Sequence, residues 1–146
     1  MVAFKTILVP VDFSEHASRA LDYAIELGKQ FKSKIHLLHS YPLQPFLVSP
    51  YGVALPPELD RSFREAADQR LAEWATRASK AGLTVEITTS ADTPAEAIAP
   101  RAEKIHADLI VMGTRGLTGL KHVVLGSVAE RTLRIAPCPV LTLKAH

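Results

Sequence analysis

Five short apolar runs rich in β-branched residues alternate along this chain with stretches whose apolar positions recur at helical spacing. Residues 4 to 11 form the first run and predict a strand. From about Ser14 to Phe31, Ala17, Leu21, Ala24, Ile25 and Gly28 keep one helical face. Residues 34 to 41 predict a second strand. Residues 42 to 56 then carry four prolines and little periodicity, as a lid, a binding loop or an excursion would. Pro57 opens a long helix in which Leu59, Phe63, Ala67, Leu71, Trp74 and Ala78 are expected to face the core, with Gly82 as its stop. Residues 83 to 89 alternate apolar and polar, as a half-buried strand does. Thr93-Pro94-Ala95-Glu96 has the form of a capping box with proline at the first helical position. Pro100 lies inside that helix and is expected to kink it. A strand from Asp108 to Met112, a helix from Ser127 to Ala136 and a last strand from Val140 to Lys144 complete the pattern.

Strict alternation with near-continuous apolar strands predicts an α/β fold, an open five-stranded parallel sheet with helices on both faces. Right-handed crossovers wind such a chain outward in two directions from a central strand, and the expected strand order is 3-2-1-4-5. Strands 1 and 4 would then diverge at a switch point, where open α/β sheets leave a crevice for ligands. The length of 146 residues suits one domain over residues 1–146.

Composition narrows the function classes. A hydrophobic content of 47% with 22% charged residues excludes general disorder. The formal charge of +2 is weak and its basic residues are scattered, so no nucleic-acid partner is expected. No apolar run approaches a membrane span, and the opening Met-Val-Ala-Phe-Lys lacks signal-peptide architecture. With one cysteine and hence no internal disulfide, the expectation is a cytoplasmic protein.

The most chemically informative segment follows the fourth strand. Gly113, Gly116, Gly119 and Gly126 are four of the chain's seven glycines. They fit neither the dinucleotide fingerprint nor a P-loop. What remains is glycine, two residues, glycine, nine residues, then Gly126-Ser127 at a helix start. Taken singly, each glycine reads as a tight turn needing positive φ. Together they leave side-chain-free backbone beside a helix mouth, whose N–H groups and dipole attract anions. From Leu109 to Ala129 there is no carboxylate, while Arg115 and Lys121 add positive charge. Ser127-Val-Ala-Glu130 also has capping-box form, a role compatible with ligand binding.

Asp12 ends the first strand, and its spacing is equally consistent with a ribose acceptor and a helix cap shared with Ser14. Cys138, between two prolines, reads as a packed residue rather than a nucleophile. His36 and His39 lie three apart on a predicted strand, so they project to opposite faces, one packed and one exposed, and cannot chelate one metal. No catalytic residue and no protein metal site is expected.

The chain resembles the universal stress protein family over essentially its whole length. The resemblance rests on the opening Ile-Leu-Val-Pro-Val-Asp-Phe-Ser-Glu, on Leu-Leu-His at 37 to 39 and on Asp-Leu-Ile-Val-Met-Gly-Thr-Arg-Gly. It rests also on the spacing that ends in Gly126-Ser127-Val-Ala-Glu and on Pro-Cys-Pro-Val at 137 to 140. The glycine spacing resembles that of the family's ATP-binding branch. The resemblance implies a dimer that binds ATP, or AMP or ADP, with Mg2+ or Mn2+ on the phosphates. By position it implies Pro10, Val11 and Asp12 at the adenine and ribose end, and Met112 against the base. Gly113, Arg115, Gly116, Gly126, Ser127 and Val128 would hold ribose and phosphates. Ser40 stands where the family commonly has a valine touching adenine.

The first function expected is a regulatory nucleotide-binding module of a stress response, hydrolysing ATP slowly at most. The alternatives are a genuine ATPase and a nucleotide-independent dimeric interaction protein, the latter docking through Phe46, Leu47, Val48 and Tyr51. The last strand, Val140 to Lys144, is the expected dimer edge.

Overall fold

The computed structural model describes residues 2–41, 57–115 and 125–144, so residues 42–56 and the loop glycines Gly116 and Gly119, with Lys121, lie outside the described residues. The elements in order are β1 (Thr6–Pro10), α1 (Glu15–Phe31), β2 (Lys34–Ser40), α2 (Pro57–Lys80), β3 (Val85–Ser90), α3 (Pro94–Lys104), β4 (Leu109–Gly113), α4 (Ser127–Ile135) and β5 (Val140–Leu143). The strands form one five-stranded sheet in the order β3-β2-β1-β4-β5, with every neighbouring pair parallel. The expected architecture and strand order are both observed.

Strand alternation explains how apolar runs serve two faces at once. Ile7 and Val9 of β1 and Leu109 and Val111 of β4 join a core with Leu21, Ala24, Leu71 and Ala78 of α1 and α2. Leu8, Ile110 and Met112 point the other way, into a core with Ala97, Ile98 and Ala102 of α3 and Ala129 of α4. Both faces exclude water, so the buried positions of these two strands are all apolar.

Helix α1 starts where Ser14 accepts the Ala17 amide at 3.1 Å, which makes Ser14 the cap and Glu15 the first helical residue. It ends at Lys32 in the left-handed region, with the Lys32 N–H on the Gly28 carbonyl. Helix α2 ends at Lys80, before Gly82 at φ +85°. Its core face is shorter than expected. Ala67, Leu71, Ala75 and Ala78 are buried, whereas Leu59 and Phe63 remain 42% and 46% exposed. The Thr93 capping box does not form. The Thr93 carbonyl, not its hydroxyl, takes the Glu96 and Ala97 amides at 3.0 and 2.9 Å. Pro100 sits inside α3, which continues past it to Lys104.

Candidate functional site

The chain leaves β1 for α1 on one face of the sheet and leaves β4 for α4 on the other. This is the divergence that opens a crevice. The β1–β2 ladder runs from Thr6↔Lys34 to Pro10↔Leu38, while β1–β4 pairing is confined to Ile7↔Leu109 and Leu8↔Ile110. The gap therefore opens between the carboxyl ends of β1 and β4. Three adjacent strands bring Ser40, Pro10–Asp12 and Met112–Arg115 to the same sheet edge. The Gly126 N–H donates to the Thr114 carbonyl and ties the mouth of α4 to that edge.

At the β1 end, an Asp12 carboxylate oxygen accepts the Ser14 amide at 3.0 Å. Asp12 thus braces the turn into α1, and Ser14 caps the helix. The intervening Phe13 adopts φ +64°, a left-handed conformation that costs an aromatic residue roughly 1–2 kcal/mol. Its ring is clamped. Arg70 lies 4.4 Å over it, Trp74 meets it edge-on at 5.3 Å and His39 lies 4.4 Å away. His39 Nδ1 is 2.8 Å from the Val11 carbonyl, and since a carbonyl can only accept, Nδ1 carries the proton. Burial lowers the His39 pKa, opposed by that hydrogen bond and by Asp12, so the neutral ring is favoured.

Sequence reasoning missed Phe13 and His39 as supports of the Asp12 turn. Their partners come from α2, and no local pattern joins residue 13 to residues 70 and 74. His39 is half-buried rather than exposed, and His36 is buried with Nε2 2.9 Å from the Thr88 hydroxyl. Among the described residues no three His, Cys, Asp or Glu side chains converge as metal ligands. Burial, with Asp108 nearby, raises the Cys138 thiol pKa and disfavours the reactive thiolate.

At the β4 end, neither Gly113 nor Gly126 has positive φ. The reason for glycine is close approach. A Cβ on Gly113 would lie 2.6 Å from the His16 Cβ, so the start of α1 occupies that space. A Cβ on Gly126 would lie 3.0 Å from the Thr114 carbonyl oxygen. Both glycines thus shape the crevice by letting its walls meet.

Gly126 also takes the cap position of α4, with no side-chain cap bond. Ser127 is the first helical residue rather than the cap, and it is exposed. Among the described residues, no side chain caps the opening amides of α4. Pro10, Asp12, Ser40, Gly113, Arg115, Gly126 and Val128 are half-buried. Val11 is buried in one core and Met112, at 5% exposure, in the other. Two polar atoms here are buried without a hydrogen-bond partner among the described residues, His16 Nδ1 and the Thr114 hydroxyl.

Fold and crevice together define an open parallel α/β domain of the kind that takes ligands at a switch point. The chain belongs to the universal stress protein family, whose model matches residues 3–144. It is 35% identical over 146 residues to a universal stress protein of Methanocaldococcus jannaschii, covering 97% of this chain and 82% of that one. A universal stress protein from Thermus aquaticus is 34% identical over 148 residues, covering 97% and 99%. Among solved structures, a hypothetical protein solved as a test case of structural genomics superposes with a TM-score of 0.85 at 29% identity, covering 98% and 97%. Universal stress proteins in complex with cAMP and, from Archaeoglobus fulgidus, with dAMP share the fold at TM-scores of 0.74 and 0.68 and identities of 24% and 22%. The first of these covers 99% of each chain, the second 97% and 98%.

Proposed function

We propose that residues 1–146 form a single domain of the ATP-binding branch that holds an adenine nucleotide, ATP or its mono- or diphosphate, at the β1–β4 crevice. The observation that carries this is the uncapped mouth of α4, tied through Gly126 to the end of β4. A helix start with no side-chain acceptor, next to a buried unpartnered hydroxyl, fits an anionic ligand. The cAMP and dAMP complexes show what two proteins of this fold hold. It is this chain's own residues that bring a nucleotide here. Gly113, Arg115, Gly116, Gly126, Ser127 and Val128 would take ribose and phosphates, and Pro10, Val11, Asp12, Ser40 and Met112 the adenine end. Mg2+ or Mn2+ would travel on the phosphates.

The role is regulatory, in a cytoplasmic stress response, and the unit is a dimer joined through residues 140 to 144. Hydrolysis is slow at most, because Asp12 is assigned to the ribose end rather than to a water at the γ-phosphate. Native mass spectrometry of the isolated protein, followed by ATP titration, tests the reading. The expected result is a co-purified adenylate or a micromolar dissociation constant, with phosphate release near background. Absence of any bound or titratable adenine nucleotide rejects the proposal, and brisk turnover replaces it with an ATPase.

A further inference from the structure

We infer that Phe13 is a positioning residue that presents the Asp12 carboxylate to the ribose hydroxyls of the bound nucleotide, an inference that rests on the nucleotide reading above. Among the described residues three non-glycines have positive φ, Phe13 at 64°, Lys32 at 55° and His106 at 53°. Lys32 is the C-cap of α1 and His106 follows the C-cap of α3, places where a left-handed residue ends a helix. Phe13 instead precedes a helix, one residue ahead of the Ser14 cap, where capping asks for no such angle. A strained angle without a local cause, at the rim of a ligand crevice, points to a role in shaping the site.

Both neighbours of Asp12 are held from other elements. On one side, the Val11 amide donates to the Leu38 carbonyl at 2.8 Å, and the Val11 carbonyl accepts from His39 Nδ1 at 2.8 Å. On the other, the Phe13 ring packs against Arg70 and Trp74 of α2 and against His39 of β2. The Asp12 backbone is thus pinned at each end, and the Ser14 amide orients its carboxylate at 3.0 Å. A carboxylate accepts up to about four hydrogen bonds, so bracing by the Ser14 amide is compatible with hydroxyl donors. Without its ring contacts the left-handed angle loses its compensation. Position 13 then relaxes toward the extended region, and the Asp12 carboxylate turns with it.

The test measures, by calorimetric titration, the preference for ATP over dideoxy-ATP, which lacks both ribose hydroxyls. The parent should prefer ATP about tenfold or more, as hydrogen bonds to a charged acceptor provide. Phe13→Leu should weaken ATP alone and bring the two affinities within about twofold, whereas Phe13→Tyr keeps the ring and the preference. Arg70→Met should lower the preference in the same sense. Arg70 is exposed, so that variant keeps the fold and decides the matter if Phe13→Leu does not fold. A merely structural Phe13 would weaken both ligands equally or leave the preference unchanged, and either result overturns the inference. A parent that binds both ligands alike removes the ribose contact and this inference, while the nucleotide reading stands. A parent that binds neither rejects the nucleotide reading, and this inference falls with it.

Discussion

An alanine methyl at position 113 would meet not only the His16 Cβ but also the His16 carbonyl carbon and oxygen, at 3.1 and 3.2 Å. Backbone cannot rotate away as a side chain can, so α1 would have to lift from the end of β4. Overpacking of this kind costs roughly 1–3 kcal/mol. Gly113→Ala should therefore lower the melting temperature of the ligand-free protein, and His16→Ala should not rescue it, because the Cβ and backbone remain. Unchanged ligand-free melting would mean that glycine is needed only for ligand approach. A second residue-scale effect concerns His36. Burial holds its pKa below 6.5, with Glu86 opposing and Arg101 and Lys34 reinforcing. The folded pKa thus lies below the unfolded one. As pH falls through about 6.5, the unfolded chain takes the proton first, and stability drops until the folded ring also titrates. His39 acts in the same direction. Thermal melts should show the melting temperature falling from about pH 7.5 to about pH 5, with a shallower slope in His36→Gln. An identical slope in that variant would remove His36 as a contributor.

Elements were legible in the chain to the extent that their causes are local. Apolar runs bounded by glycine, proline or polar residues placed all five strands, and boundaries moved by one or two residues, as from 83–89 to Val85–Ser90. What periodicity does not carry is how far the partner surface extends. Leu59 and Phe63 share a helical face with Leu71, yet both stay exposed while Leu71 is fully buried. Residue type likewise did not settle capping. Thr93 and Ser127 both stand in capping-box patterns and neither hydroxyl caps, because the backbone puts Gly126 ahead of Ser127 and uses the Thr93 carbonyl. The spacing of Asp12 is consistent with two roles, and the structure shows the helix-side one, an Asp12 oxygen on the Ser14 amide with Ser14 as the cap. The crevice itself was readable from strand order, since order alone determines where successive connections part. Its supports were not. Phe13 has a costly backbone angle, and Arg70 and Trp74, more than fifty residues away in sequence, pack against its ring.

At the scale of the whole molecule, among the described residues β5 pairs with β4 alone, and none of them pairs with its other edge. All four of its residues are half-buried, and beside it α4 exposes Leu133 and Ile135 by 46% and 42%. An open strand next to apolar side chains invites a second copy. The existing ladder indicates which backbone groups are available. Ile110 donates to the Pro139 carbonyl and Thr114 to the Leu143 carbonyl, so the odd-numbered residues face β4. The Thr142 amide, by alternation, faces the open edge. Proline there removes one outward donor and spares the bonds to β4. If the proposed dimer pairs β5 with β5, Thr142→Pro should shift it to monomer in sedimentation velocity while ATP affinity stays within about twofold, because the crevice lies at the β1–β4 boundary. Leu133→Asp separates edge pairing from helix packing. A dimer that survives Thr142→Pro and falls apart with Leu133→Asp is held by the α4 face, and strand pairing is then the wrong geometry. A parent protein that sediments as a monomer at micromolar concentration removes the dimer and leaves β5 as an edge protected by its brevity alone.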